Sequence, residues 1–295
     1  MNWIFLRISF FGFCLSFAGL LVAAEKGQAR KALWTVKESI LNPESAYFDP
    51  ASGKIFVSNV AGKPADKDGI GWISVISFGK DGKPRASKVV EGLNAPKGLR
   101  ANKGVLYVTD IDEVVKIDIN TSKILTKIKV PDAKFLNDVG VSADGRVFVS
   151  DTIASKIYVI ENDFASVFVE GPEFESPNGL LVVGNQLYVA SWGFITVPST
   201  FGAKVPGHLY SLDLATKKRT QVGMKPLGNL DGLEQTKNGD FIVSDWVAGK
   251  VFRVSKSGKT ALIVDGIRNT ADIGLMGNII LVPSMSTDQV FAYRL

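Results

Sequence analysis

Six polar residues recur along this chain at one equivalent place: Glu44, Lys97, Asn137, Asn178, Asp231 and Asp272. Five of the six carry a side-chain oxygen. Each opens a segment that ends 15, 13, 14, 13, 14 and 12 residues later, at Asn59, Asp110, Asp151, Ser191, Asp245 and Ser284. Two or three carboxylates together with one or two amide oxygens make a hard-cation site, suited to calcium, magnesium or manganese better than to a soft metal. The expectation is one divalent cation (Ca, Mg, Mn or Zn, with calcium favoured). Taken singly, any of these residues could equally line a wet channel. As a set they argue for a cation, because buried carboxylates without one are costly.

The chemistry that the chain lacks narrows the field. It has a single cysteine, Cys14, and a single histidine, His208. Multi-histidine zinc sites and two-histidine mechanisms are thereby excluded. With Cys14 inside an apolar leader, so is a thiol nucleophile. A Ser–His–Asp triad would need His208, which follows Val205-Pro206-Gly207 with no strained nucleophile turn nearby. Phosphate-cradling glycine loops and dinucleotide fingerprints are missing too. Asp66-Lys67-Asp68-Gly69 begins like a calcium loop but no glutamate follows at the required distance, so it reads as a solvated loop. Asp110-Ile111-Asp112-Glu113 reads as a strand-to-strand corner, and Asn120-Thr121-Ser122 is a glycosylation sequon only in a eukaryotic secretory pathway.

The elements that must position the six residues are short strands. Successive segment ends lie 51, 41, 40, 54 and 39 residues apart, a period that signals a radial β-array. Period-2 alternation and turn punctuation dominate, as at Ala143-Asp144-Gly145 and Lys237-Asn238-Gly239. Four antiparallel strands per unit, six times over, predict an all-β fold, a six-bladed β-propeller. The last unit is short of one strand, and Leu33-Trp34-Thr35-Val36 is a strand without a unit. Pairing the two closes the ring and removes an exposed edge. A ring brings the six openers together about one axis. Two units carry insertions after their second strands, at 61–71 and 192–207, and both are expected to overhang the face bearing the openers. Long loops on one face usually serve binding.

Residues 1–24 read as a secretory signal peptide: Arg7, an apolar run, then Val22-Ala23-Ala24 at the cleavage position. Residues 25–295 form the propeller. The alternative is an uncleaved anchor. No later apolar run is long enough to span a bilayer. The net charge of +5 is scattered, with no basic run interleaved with aromatics, which excludes nucleic acid as a partner. A monomer is expected, periplasmic or secreted. The leader and the cysteine-free remainder favour a bacterial periplasm.

Pro43-Glu44-Ser45, Phe135-Leu136-Asn137-Asp138, Ser176-Pro177-Asn178-Gly179-Leu180 and Leu230-Asp231-Gly232-Leu233 together resemble the blade starts of the gluconolactonase/regucalcin (senescence-marker-protein) superfamily. The resemblance covers roughly residues 41–295. It implies that Glu44, Asn178 and Asp231 bind one divalent cation at the axis, with Asn137 beside the substrate or metal. It implies hydrolysis of sugar lactones or related small cyclic esters, the cation polarising the carbonyl and Asp231 taking a proton from water. Asn137 would orient substrate or water, and Trp192 and Trp246 would wall the pocket together with Lys97 and Asp272. One departure counts: Phe135 stands where sugar lactonases of this family often carry arginine, so a more apolar lactone or ester gains ground. The alternative is a non-catalytic propeller that binds a ligand or protein around a structural cation, and a strictosidine-synthase-like branch is the weakest option.

Overall fold

The computed structural model describes residues 31–295. The leader at 1–24 lies outside them. Among the described residues, no helix is long and apolar enough to cross a membrane. The chain forms six four-stranded antiparallel sheets arranged as the blades of a propeller. Blade one comprises Pro43–Asp49, Lys54–Asn59, Gly71–Phe78 and Pro84–Leu93. In blade six the strand Trp34–Val36 pairs with Gln289–Arg294, with Trp34 opposite Ala292 and Val36 opposite Val290. The N-terminal strand therefore closes the ring as its sequence predicts.

Burial follows distance from the axis. The second strand of blade three, Val147–Asp151, is buried on both faces, whereas the outer strand of blade two, Ile124–Lys129, is mostly exposed. Each blade packs both faces on its neighbours, so six of the seven apolar clusters lie one at each blade interface, and the small seventh gathers Val60, Ala95 and Ile111. Tyr47 and Phe56 of blade one meet Leu99 and Leu106 of blade two. Ile242 of blade five meets Ile280 and Tyr293 of blade six, and the closing strand contributes Val36 to the interface of blades six and one. With roughly 1.5–3 kcal/mol for each fully buried aliphatic side chain, these interfaces supply the stability that a chain without disulfides must find in packing.

A β-bulge recurs at the start of the innermost strand. Blades one to five all show one shift of register beside the opener, as between Pro43 and Ala46 or Leu230 and Leu233. A bulge re-aims a side chain and leaves an amide unpaired. In blades one, three and five a serine on the second strand satisfies that amide. Ser58 Oγ accepts from Ser45 N at 2.9 Å, Ser150 Oγ from Asp138 N at 2.9 Å and Ser244 Oγ from Gly232 N at 2.7 Å.

The segment ends have a structural job. Asp110 accepts from the backbone N–H of Asn94 and Ala95 at 2.9 and 2.7 Å. Asp151 accepts from Lys134 and Phe135 at 2.6 and 3.1 Å, and Asn59 Oδ1 from Leu41 at 3.0 Å. Each clasps the backbone that leads into the opener of its own blade, which explains why the spacing between opener and end is so nearly constant.

Candidate functional site

The bulges turn Glu44, Lys97, Asn137 and Asp231 into a single cavity of about 370 Å3, lined also by Phe135, Trp192, Phe201 and Trp246. Asn178 is fully buried beside it. Its Nδ2 donates to Leu230 O at 3.2 Å, which ties it to the strand that carries Asp231. Lys97 is also buried; its Nζ donates to Ala95 O at 2.9 Å and stands over the Phe135 ring, 4.4 Å from its centre. Both long insertions reach the cavity, the first through Pro64 and the second through 200–203. The second is more than a loop: Gly193–Val197 and Gly202–Pro206 pair as a hairpin of their own.

Asp272 departs from the sequence expectation and does not line the cavity. In blade one Ala46 pairs with Val57, two residues before the segment end. In blade six Gly274 pairs with Leu281, three before it. Ala271, not Asp272, is therefore level with Glu44, and Asp272 lies one residue further along, level with Ser45 and with Asp138 of blade three. Ser45 Oγ donates to Asp272 Oδ2 at 2.5 Å, and Leu180 N donates to Asp138 Oδ2 at 2.6 Å. The sequence carries a trace of this offset: Asp272 lies 12 residues before its segment end, against 13 for the openers of blades two and four, whose hairpins turn with the same pairing as the last.

Charge is thus layered along the axis. Below the cavity, Arg100 pairs with Glu234 at 2.7 Å and stands over Tyr47, 5.0 Å from its ring centre. Burial works against the guanidinium, but Glu234, Asp138 and Asp272 outweigh it and keep it charged. Burial raises the carboxyls of Glu44, Asp231 and Asp272 well above the usual range. For Glu44 the charges of Asp231 and Asp272 add to the shift; for Asp231 and Asp272 the next contribution is Asp138. Asp138 itself is pushed by burial to about 6, with Arg100 opposing. Burial lowers Lys97 to about 8 against the pull of Glu44 and Asp110.

The donor set tests whether a cation fits. Glu44 Oε2, Asn137 Oδ1, Asn178 Oδ1 and Asp272 Oδ1 are buried and have no hydrogen-bond partner. An unpartnered buried acceptor is destabilising by roughly 1–3 kcal/mol, so such a group marks a place where something else belongs. Among the described residues no three Asp, Glu, His or Cys side chains are grouped to hold a metal by themselves. The donors here are mixed, carboxylate and amide, as a hard cation accepts.

His208 lies elsewhere. Its Nδ1 contacts Glu175 Oε2 at 2.8 Å, and Glu175 also binds Arg219 at 2.7 Å and accepts from Ser191 Oγ at 3.2 Å. This cluster braces blade four beneath the hairpin. The Asp66–Gly69 stretch is exposed, with Lys67 paired to Asp112 at 2.7 Å. Sequence reasoning missed Phe201, Met285, Thr152 and Asn229, all of which line the cavity. A signal existed for Phe201, an aromatic inside an insertion already placed over the site.

No family model matches the chain, and no curated protein matches it in sequence. Solved structures do. A gluconolactonase from Xanthomonas campestris superposes with a TM-score of 0.63 at 14% identity, covering 90% of this chain and 88% of that one. Virginiamycin B lyase from Staphylococcus aureus gives 0.58 at 14%, over 88% and 98%. A chain of the nidogen/laminin complex gives 0.64 at 15%, over 76% and 86%. Likenesses at this identity show the fold, a β-propeller.

Proposed function

We propose that the protein is an exported, divalent-cation-dependent hydrolase of the lactonase type, acting on a small lactone or ester. The observation that carries this reading is the group of buried, unpartnered oxygens of Glu44, Asn137 and Asn178 beside Asp231 at the floor of one cavity. Glu44, Asn178 and Asp231 would hold the cation. When bound, it would supply Lewis-acid polarisation of the ester carbonyl and stabilise negative charge on its oxygen.

The chain's own groups do the rest. Asp231 is the base: it takes a proton from a water as that water's oxygen bonds to the carbonyl carbon. It returns the proton to the ring oxygen when the ester C–O bond breaks. Asn137 orients water or substrate with its free amide oxygen. The gluconolactonase likeness supports the reaction class. One of the lyase neighbours is described as catalytically inactive once a histidine becomes alanine, and the sole histidine here does not line the cavity, which favours hydrolysis over that lyase chemistry.

The nidogen/laminin likeness favours a second reading, a non-catalytic propeller that binds a partner around a structural cation. Calcium, manganese and zinc titration of chelator-stripped protein decides between them, read by melting and by turnover of a lactone panel with Asp231→Asn as control. Turnover that needs metal and Asp231 is the expected result. Stabilisation by metal without turnover of any lactone would establish the binding propeller, and failure to bind any cation would overturn both.

A further inference from the structure

We infer that the cavity selects a lactone or ester with a hydrocarbon arm and rejects polyhydroxylated sugar lactones, and that Phe201 is the residue that sets this preference. The inference rests on the lactonase reading for its reacting group, while the arm is argued from the walls alone.

The charged and free amide groups of the cavity, Glu44, Lys97, Asn137 and Asp231, sit at its floor, and the walls are mainly aromatic. Above the floor the rings form a linked series. Phe135 meets Phe201 edge-on with centres 5.0 Å apart, Phe201 meets Trp192 at 5.9 Å, and Trp192 meets Trp246 at 5.7 Å. Such contacts fix ring positions beyond what area burial alone would do. Phe201 sits at the turn of the 193–206 hairpin with φ of 53°, and its backbone carbonyl accepts Trp192 Nε1 at 2.9 Å. The hairpin is thus held over the cavity by the residue that walls it.

The walls also have little to offer a hydroxyl. Trp192 Nε1 is committed to Phe201 O, and Trp246 Nε1 points at Met285 Sδ at 3.4 Å. Asn229 Nδ2 donates to Trp192 O at 2.8 Å and Thr152 Oγ1 to Pro177 O at 2.9 Å. A sugar hydroxyl brought against these walls loses water and finds few partners, whereas an alkyl or aryl arm gains burial at every contact. An apolar pocket rejects an added hydroxyl by about a hundredfold.

The test compares γ-decalactone with glucono-δ-lactone on the calcium-supplemented protein, beside Phe201→Ala and Phe201→Leu variants whose melting is checked. Binding of the two unreactive lactams of the same skeletons is followed in parallel by tryptophan fluorescence. The expected result is kcat/KM roughly a hundredfold or more in favour of decalactone. Phe201→Ala should lower the decalactone value about tenfold with little effect on the sugar lactone, and Phe201→Leu should restore most of it. Equal or faster turnover of glucono-δ-lactone would overturn the inference and leave the hydrolase reading intact. Phe201-dependent binding of the apolar lactam without turnover of any lactone would sink the hydrolase reading and sustain the apolar arm. Binding of neither lactam, or binding unmoved by Phe201→Ala, would overturn the inference.

Discussion

Lys97 Nζ stands 4.4 Å from the centre of the Phe135 ring, held there by the carbonyl of Ala95. Cation and ring hold each other at the wall of the cavity, on the side of Glu44. Burial and the charges of Asp231 and Asp272 raise the Glu44 carboxyl, and the ammonium opposes them, so it favours the charged carboxylate yet repels any second cation that approaches.

Replacing Lys97 by Met should therefore tighten calcium binding about tenfold, an effect of ~1.4 kcal/mol. Isothermal titration of the chelator-stripped variant measures this directly. Unchanged or weaker binding would mean that the ammonium does not oppose the cation.

Asp231→Asn should separate stability from activity. The metal-free variant should melt a few degrees higher than the parent, because a buried carboxylate shared with like charges has been neutralised. It should also lose calcium-induced stabilisation and all turnover. A metal-free variant that melts lower would contradict the placement of Asp231 among repelling carboxylates.

Asp151→Ala addresses the clasp rather than the site. Asp151 accepts from the N–H groups of Lys134, Phe135 and Ala154. Removing it leaves buried donors unpaired, for a loss of about 2–4 kcal/mol. Urea unfolding in calcium should show that loss, with calcium affinity in the folded fraction changed far less than in Asp231→Asn.

The carboxyls also set a pH dependence. Burial raises Glu44, Asp231 and Asp272 in the folded chain. Between the unfolded value of about 4 and the raised folded value, the native state binds more protons than the unfolded state. Stability without metal therefore falls as pH rises through that window. Lys97, lowered to about 8, acts oppositely only above it. Chelator-treated protein should melt higher near pH 5 than near pH 7.5, while the increment given by calcium should grow over the same range, since protons compete with the cation. Melting scans at several pH values, with chelator and with calcium, check both slopes.

Much of this architecture could be read in the sequence because it is written six times. Hydrophobic alternation and turn residues gave the four-stranded units, and the unpaired Trp34–Val36 segment gave the closure. The site was legible wherever the bulge keeps a constant register, as at Glu44, Asn137, Asn178 and Asp231. At Asp272 the sequence misled, because a polar residue stands one place beyond the level position, and only a distance to the segment end one residue short marks the shift. Phe201 was hidden for a different reason: its place depends on a hairpin folded back across the ring, and no local periodicity encodes that return.

The pairing of Trp34–Val36 with Gln289–Arg294 joins the first described strand to the last. Glu44 of the first blade and Asp272 of the last influence each other's protonation only because the circle is complete. Glu44, Asn178 and Asp231 come from blades one, four and five, so a chain made only as far as its third blade lacks two of the three proposed donors. Assembly is then dominated by contacts distant in sequence, which is slow. On the proposed reading, a cation held only by the completed circle would act as a fastener on the product, and its arrival would report that synthesis and closure are both over.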